Sequence, residues 1–172
     1  MNTGKVIGNG FPEGLTETTV TGYYAAGGAG DKKLVYRTDI INEFPPYPVF
    51  EGEKYVSLSY KYRLIDQKYK MAVLDKVVCN VEYQQDGSSL NMYRQYLRNP
   101  KGFAFWRKVR MQTPETTKRL IVDCIHYCSS NQISHNRHYI KESPKPVLTV
   151  LCTPLGWMLT HYIRSKVKQK NR

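Results

Sequence analysis

Two carboxylates occupy a stretch of sequence where they could perform acid–base chemistry. Glu51 and Glu53 follow a rigid, proline-rich segment, FPPYPVFEGEKYVSL, at the point where the chain is expected to enter a helix. A carboxylate held at the edge of a cleft can accept a proton from a hydroxyl group, as a general base does. The alternative is structural, because an acidic residue in the first turn of a helix also complements the positive end of the helix dipole.

Histidine and cysteine offer weaker candidates. His135 and His138 form an i, i+3 pair in SHNRHY that could touch one metal ion from a helix, but no carboxylate or cysteine accompanies them, so a polar loop is favoured and no metal site is predicted. Cys124 and Cys128 lie four residues apart in an apolar helical pattern, which favours buried packing. Reduced thiols of a cytosolic protein are the simplest interpretation of the four cysteines.

The glycine-rich segment Gly22–Gly30, GYYAAGGAG, could be mistaken for a nucleotide-binding loop. It has neither the GxGxxG spacing nor the GKS/T ending of the phosphate-binding motifs. We therefore predict a flexible loop there, because so many glycines oppose both helix and strand.

Charge is distributed unevenly along the chain of 172 residues, which has a formal net charge of +12. Residues 1–66 hold seven basic and eight acidic side chains, whereas residues 67–172 hold nineteen and six, a balance of +13. The basic half is expected to face an anionic partner, which could be nucleic acid, phosphorylated lipid or an acidic membrane surface. A solvated basic face that only confers solubility is the alternative. Wholesale disorder is excluded because 12% of the residues are aromatic.

The C-terminal segment combines apolar, aromatic and basic residues in that order. The mostly apolar stretch Val147–Leu159 is too short to cross a membrane. Trp157 and Tyr162 follow at the kind of boundary that suits lipid headgroups. The basic side chains that come next, each worth about 1 kcal/mol near anionic lipid, are Arg164, Lys166, Lys168, Lys170 and Arg172. Core packing followed by a basic tail is the alternative.

Hydrophobic periodicity predicts much helix and few strands. A strand is expected at Leu34–Arg37, and two short strands joined by a turn at Asp75–Lys76 are expected between residues 70 and 84. Six helices are expected. In chain order, the first is capped by Thr38, the second runs from Gly52 to Ile65 and the third is capped by Ser88. The last three are long helices at about 101–110, 115–130 and 145–167.

Four short blocks of the chain occur in an order that resembles a known family. YRTDII, FPPYPVFEGEKYVSLSYKY, NVEYQQDGSSLNM and NPKGF together resemble the C-terminal half of bacterial family-2 glycosyltransferases, which build capsules, O-antigens and exopolysaccharides. The resemblance runs from Leu34 to Phe105 and more loosely from Ile7. It implies an α/β nucleotide-sugar-binding fold, which would be α+β in the part present.

The resemblance also implies a division of chemistry between two halves. In the family, the N-terminal half binds the nucleotide sugar through a DxD motif with Mg²⁺ or Mn²⁺, and the C-terminal half supplies the acceptor surface and the general base. The family's base lies in a Glu-Asp pair that corresponds to Glu53-Lys54 here, so Glu53 becomes the candidate base. Lys54 would instead contact a phosphate of the donor or of a lipid acceptor.

Tyr83, Asp86 and Ser88, in EYQQDGSSL, resemble a block that closes over the acceptor site in the family. A local explanation also suffices for this block, since Asp86-Gly87 is a turn sequence and Ser88 is a good helix N-cap.

The chain contains no DxD motif and no N-terminal βαβ pattern, so the donor-binding half and its metal ion are expected on a separate part, and the chain is expected to be inactive alone. We expect a Gly/Thr-rich segment at 1–33, the acceptor-side half at 34–110 and a basic helical extension at 111–172. The acceptor would be a lipid-linked sugar or an oligosaccharide, at the cytoplasmic side of the inner membrane. A non-enzymatic basic module that binds anionic membrane or nucleic acid is the rival, although no nucleic-acid motif is visible.

Overall fold

A computed structural model describes residues 4–82 and 91–170, the last residue by its backbone alone. The chain divides into two compact units. Unit 1 is formed by Met1–Tyr47 with Leu58–Gln84, and unit 2 by Pro48–Ser57 with Gln85–Arg172. Loop 48–57 belongs with the C-terminal helices in unit 2, and residue 110 falls inside one of these helices. The predicted domain boundaries at residues 33 and 110 stay predictions.

Unit 1 contains three short helices and one small antiparallel sheet within the described residues. The helices are α1 (Val20–Ala25), α2 (Thr38–Asn42) and α3 (Ser59–Ile65). The strands are β1 (Glu17–Thr18) and β2 (Met71–Ala72), paired with Glu17 opposite Ala72.

Helix α1 overlaps the segment Gly22–Gly30, for which a loop was predicted. Thr19 caps it by accepting a hydrogen bond from the backbone N–H of Gly22 at 2.9 Å. The carboxylate of Asp66, 45 residues along the chain, accepts hydrogen bonds from the N–H groups of Val20 at 3.1 Å and Thr21 at 2.7 Å. Two side chains therefore satisfy the N-terminal amides of α1, and this stabilises a helix that its glycine-rich sequence disfavours.

Two strand predictions in unit 1 are wrong. Leu34–Arg37 forms no strand, and β2 pairs with the distant β1 instead of forming a local hairpin. Residues 77–82 are not in a strand, because Val77 and Val81 are both exposed and a strand there would have no buried face. In α2, Arg37 occupies the N-cap and Thr38 is the first helical residue, so the predicted cap is displaced by one position.

Unit 2 is helical throughout its described secondary structure. Its helices are α4 (Met92–Arg98), α5 (Pro100–Gln112), α6 (Thr117–Ile133), α7 (Tyr139–Glu142) and α8 (Pro146–Lys170). The three long helices predicted from the sequence are confirmed as α5, α6 and α8. Helix α6 packs against α5 on one side and α8 on the other.

The helix predicted from Gly52 to Ile65 is only half right, because α3 begins at Ser59. Gly52 has a φ of 77° in the turn that joins the N–H of Glu53 to the carbonyl of Phe50 at 3.0 Å. This left-handed conformation suits glycine and interrupts a helix. The following residues, 53–57, have no regular secondary structure and lie in unit 2.

Small and hydroxyl-bearing side chains form the contact between α6 and α8. The hydroxyls of Ser129 and Thr160 are 2.9 Å apart, and the thiol of Cys128 donates to the carbonyl of Thr149 at 3.5 Å. A Cβ placed on Gly156 would lie 2.5 Å from the Cβ of Cys128. The two helices can therefore approach this closely only because α8 carries glycine at residue 156. The predicted burial of Cys124 and Cys128 is confirmed, since both are fully buried in this core.

Replacing Gly156 by Ala should force α6 and α8 apart, since the new methyl group would meet Cys128 well inside van der Waals contact. We expect a loss of about 1–3 kcal/mol in the free energy of unfolding, measured by urea denaturation. Ser165→Ala places the same side chain on the exposed side of α8 and should stay within about 0.5 kcal/mol of wild type. Equal stability of the two variants would contradict the close helix contact.

Candidate functional site

The residues predicted to be functional fall into three groups. Glu53 and Lys54 lie in loop 48–57 of unit 2, and the proposed membrane-surface residues lie on α8. Tyr83, Asp86 and Ser88 lie outside the described residues. The structure therefore bears on the candidate base and on the C-terminal segment, and the block around Asp86 stays a prediction.

Glu53 binds the N-terminus of α5 with both carboxylate oxygens. Its Oε1 accepts a hydrogen bond from the backbone N–H of Lys101 at 2.8 Å, and its Oε2 accepts one from Gly102 at 2.8 Å. These amides are among the helix N-terminal groups that have no partner within the helix, and the helix dipole also favours an anion there. Glu53 thus complements a helix dipole, as the structural alternative required, but the helix is α5 and not its own.

The neighbouring Lys54 is anchored through its backbone. Its N–H donates to Oδ1 of Asn99 at 2.8 Å, and the amide nitrogen of Asn99 donates to Oε1 of Gln95 at 2.8 Å. The side chain of Lys54 is exposed. The backbone at residues 53–55 therefore lies tightly against the start of α5, where a Cβ on Gly102 would come within 2.2 Å of the carbonyl oxygen of Tyr55.

Aromatic rings run from loop 48–57 into the helices of unit 2. Tyr55 stacks on Phe103 with ring centroids 4.8 Å apart, and Tyr96 meets Phe103 edge-on at 4.6 Å. Tyr96 also contacts His126, with centroids 5.7 Å apart. This row of rings connects the loop that carries Glu53 with a cleft between α4, α6 and α8.

The cleft, called the aromatic cleft below, has a volume of about 450 Å³. It is lined by Met92, Tyr93, Tyr96, His126, Leu159, Tyr162 and Ile163. Tyr93 and Tyr162 meet edge-on at 5.9 Å, and both are partly exposed at its mouth. Aromatic walls with a few polar tips are typical of sites for small organic ligands. No sequence pattern indicates this cleft, because its lining comes from three helices that only tertiary packing brings together.

His126 is neutral at physiological pH. Burial lowers its pKa to about 4, and the positive charge of Arg107 acts in the same direction. It can therefore accept or donate a hydrogen bond as a neutral imidazole at the wall of the aromatic cleft.

A buried charge cluster lies close enough to His126 to influence its pKa. Asp123 accepts hydrogen bonds from Nη1 of Arg107 at 2.5 Å and from Nε of Arg110 at 2.8 Å. The three side chains are 3%, 15% and 19% exposed respectively. Because one carboxylate is shared by two guanidinium groups, the cluster keeps a positive charge inside unit 2.

The predicted membrane-surface residues run from the middle of α8, at Trp157, toward its C-terminal end. Trp157 and Tyr162 are exposed, as are Arg164 and Lys168, whereas Lys166 is half-buried with its ammonium 5.4 Å from the centre of the Tyr162 ring. None of the helices in the described part of the chain combines the length and the apolar character that crossing a bilayer demands.

Metal ligation has little support among residues 4–82 and 91–170, where no three His, Cys, Asp or Glu side chains form a group that could hold an ion. His135 has a φ of 57° in the turn after α6, and His138 is the N-cap residue of α7.

The glycine-rich segment of unit 1 borders a cavity of about 330 Å³. The first N–H groups of α1 already bind Asp66 and Thr19 and are not available to a phosphate.

Comparison of the chain with protein-family models, curated proteins and solved structures finds no match. The resemblance to family-2 glycosyltransferases is therefore a resemblance of the four sequence blocks alone.

Replacing Glu53 by Gln should weaken the attachment of the loop to α5, because an amide can accept from one N–H but presents its own N–H₂ to the other. We expect a loss of about 1–3 kcal/mol in the free energy of unfolding, measured by urea denaturation. Glu51→Gln is the matched control, since Glu51 is exposed two residues away. A Glu53→Gln variant as stable as this control would contradict the capping role.

The low pKa of His126 should make stability depend on pH. In the unfolded chain, with an ordinary histidine pKa near 6.5, the imidazole takes up a proton below about pH 6.5. In the folded chain it takes up the proton only near pH 4, so the free energy of unfolding falls as pH is lowered between these values. We expect about 1–3 kcal/mol from this residue between pH 7 and pH 4.5. Urea unfolding of His126→Gln should show a correspondingly flatter dependence, and unchanged curves would contradict the assignment.

Proposed function

We propose that this chain supplies the acceptor side of a family-2-like glycosyl transfer, within a fold related to the nucleotide-sugar transferases. The observation that supports this proposal is the meeting of two of the four resembling blocks. EGEKY and NPKGF begin 48 positions apart in sequence, yet Glu53 of one block binds Lys101 and Gly102 of the other. These two blocks therefore meet in unit 2, as parts of a common site should.

In the proposed reaction, Glu53 is the general base. An acceptor hydroxyl attacks the anomeric carbon of the donor, its proton passes to the carboxylate, and the bond to the diphosphate breaks with the electron pair leaving on the diphosphate. Each oxygen of Glu53 accepts one backbone N–H and keeps a lone pair for that hydroxyl. The two amides fix the orientation of the carboxylate before the acceptor arrives.

Lys54 is assigned to phosphate binding, because its backbone is anchored while its charged side chain extends into solvent. Tyr83, Asp86 and Ser88 are assigned to the acceptor site on the strength of their sequence block. The sequence holds no DxD motif. We therefore assign the nucleotide sugar and its Mg²⁺ or Mn²⁺ to a separate donor-binding half, which would act with this chain at the cytoplasmic side of the inner membrane.

The aromatic cleft is the proposed seat of the acceptor. The face of a pyranose ring that carries axial C–H groups packs well on tyrosine rings, and its hydroxyls can reach the polar tips of Tyr93, Tyr162 and His126. The aromatic row from Tyr55 to Tyr96 connects this cleft to the loop that carries Glu53.

Saccharide binding can be tested by saturation-transfer NMR with a panel of oligosaccharides and polyprenyl-diphosphate-linked sugars. We expect at least one saccharide to receive saturation from the chain and Tyr93→Ala to lower its affinity by about tenfold, because the variant removes a ring at the mouth of the cleft. Tyr24→Ala is the matched control, since Tyr24 is similarly exposed in unit 1 (45%, against 41% for Tyr93).

Two results would contradict the proposal. Turnover of a nucleotide sugar by the chain alone would overturn the assignment of the donor to a separate half. Failure of every saccharide, together with binding of DNA or RNA that weakens steeply with salt, would favour the rival basic module.

A further inference from the structure

A surface helix in water usually turns its large apolar residues toward the protein core. Helix α8 instead has a row of small residues toward α6 and a group of large apolar residues exposed on the other side. The side packed toward α6 carries Thr149, Cys152, Gly156 and Thr160, which are all buried. The outward side carries a group of large apolar residues, which we call the outer face of α8: Val147, Val150, Leu151, Leu155, Trp157 and Met158. Val147 is 78% and Leu151 70% exposed, so this face lacks a covering in the described structure.

The outer face is continuous. Val147, Leu151, Leu155 and Met158 follow one another at helical spacing, and Val150 and Trp157 lie beside them on the same side. At 1.5 Å per residue the face is about 17 Å long. Scattered apolar residues on a protein surface need no explanation, but a continuous face of this kind marks a surface that binds something apolar.

The packing of α8 on α6 is consistent with the outward position of its large residues. Small and hydroxyl-bearing side chains lie in this contact, with Gly156 against Cys128 and Thr160 bonded to Ser129. The side chains of the outer face lie on the opposite side of the helix, away from this contact.

Charge identifies the chemistry of the surface that covers the outer face. The sequence from 143 to 172 contains six Lys and Arg and no Asp or Glu. Lys145 stands at one end of the apolar face, and Arg164 and Lys168 are exposed beyond the other end. Trp157 and Tyr162 lie at the transition from apolar to basic residues, where a membrane interface places such rings. A second copy of the chain would bring like charges together, whereas anionic headgroups would neutralise them.

We propose that the outer face of α8 docks on an anionic lipid bilayer, with the helix lying in the plane of the interface. The apolar face would enter the boundary of the acyl chains by about 5–10 Å, and the basic residues at its ends would contact the headgroups. The docking uses only α8 and does not rest on the proposed glycosyl transfer.

Co-sedimentation with vesicles tests this docking. The chain should bind vesicles of phosphatidylglycerol mixed with phosphatidylcholine, and much less those of phosphatidylcholine alone. Leu151→Glu should weaken binding at least about tenfold, because it places a charge on the apolar face. Val49→Glu is the matched control, since Val49 is 92% exposed in loop 48–57, and it should bind like wild type. Met158→Glu provides a second, independent test at an exposed position of the outer face.

The contribution of basic residues to vesicle binding and the depth to which α8 enters the bilayer are measured separately. Arg164→Gln should weaken binding about fivefold, and Lys76→Gln, at an exposed position of unit 1, should not. The emission of Trp157 should shift to the blue on binding, while Trp106, already buried in α5, should not respond.

Three results would overturn the proposal. They are absence of binding to either vesicle, binding that survives both glutamate variants, and a dimer in sedimentation velocity that Leu151→Glu dissociates without any vesicle binding by wild type.

Discussion

The carboxylate of Glu53 at the N-terminus of α5 is the interaction on which the arrangement of unit 2 depends. Loop 48–57 has no regular secondary structure of its own, and hydrogen bonds hold it in place. The Glu53 carboxylate accepts from the N–H groups of Lys101 and Gly102, and the Asn99 side chain accepts from the N–H of Lys54. An anion at the start of a helix meets both unpaired N–H groups and the positive end of the dipole. The same two hydrogen bonds hold the proposed base in a fixed orientation, so that stability and the proposed chemistry share one group.

Unit 1 uses the same device. Asp66 binds the first amides of α1 from far along the chain, as Glu53 does for α5. In both units a carboxylate that is distant in sequence ties a segment of weak intrinsic structure to a helix. A helix that runs into a glycine-rich segment and a loop interrupted by prolines and glycine can both be ordered in this way, because the free energy comes from satisfying helix N-terminal amides that have no partner within the helix and not from local propensity.

Helix α8 shows how one packing constraint determines a surface. Gly156 allows α8 to approach Cys128 on α6, so that the small residues of α8 lie inward along this contact and six of its large apolar residues, from Val147 to Met158, lie outward. The outer face is therefore a consequence of the interior, and the basic residues that follow it give that face a preference for anionic surroundings. A helix with the reverse pattern, with large apolar residues toward α6 and polar residues outward, would leave no apolar face of α8 exposed to water.

The sequence by itself determined the three long helices, because proline or a capping threonine marks where each begins, near Pro100, Thr116 and Pro146. It also identified Glu53 as a residue with a special environment. Only the tertiary structure decided what that environment is, since the partner amides of Glu53 lie 48 and 49 residues away. The aromatic cleft and the pairing of β2 with β1 likewise join distant segments. Periodicity records which residues share one face of an element, but it does not record which other element that face meets.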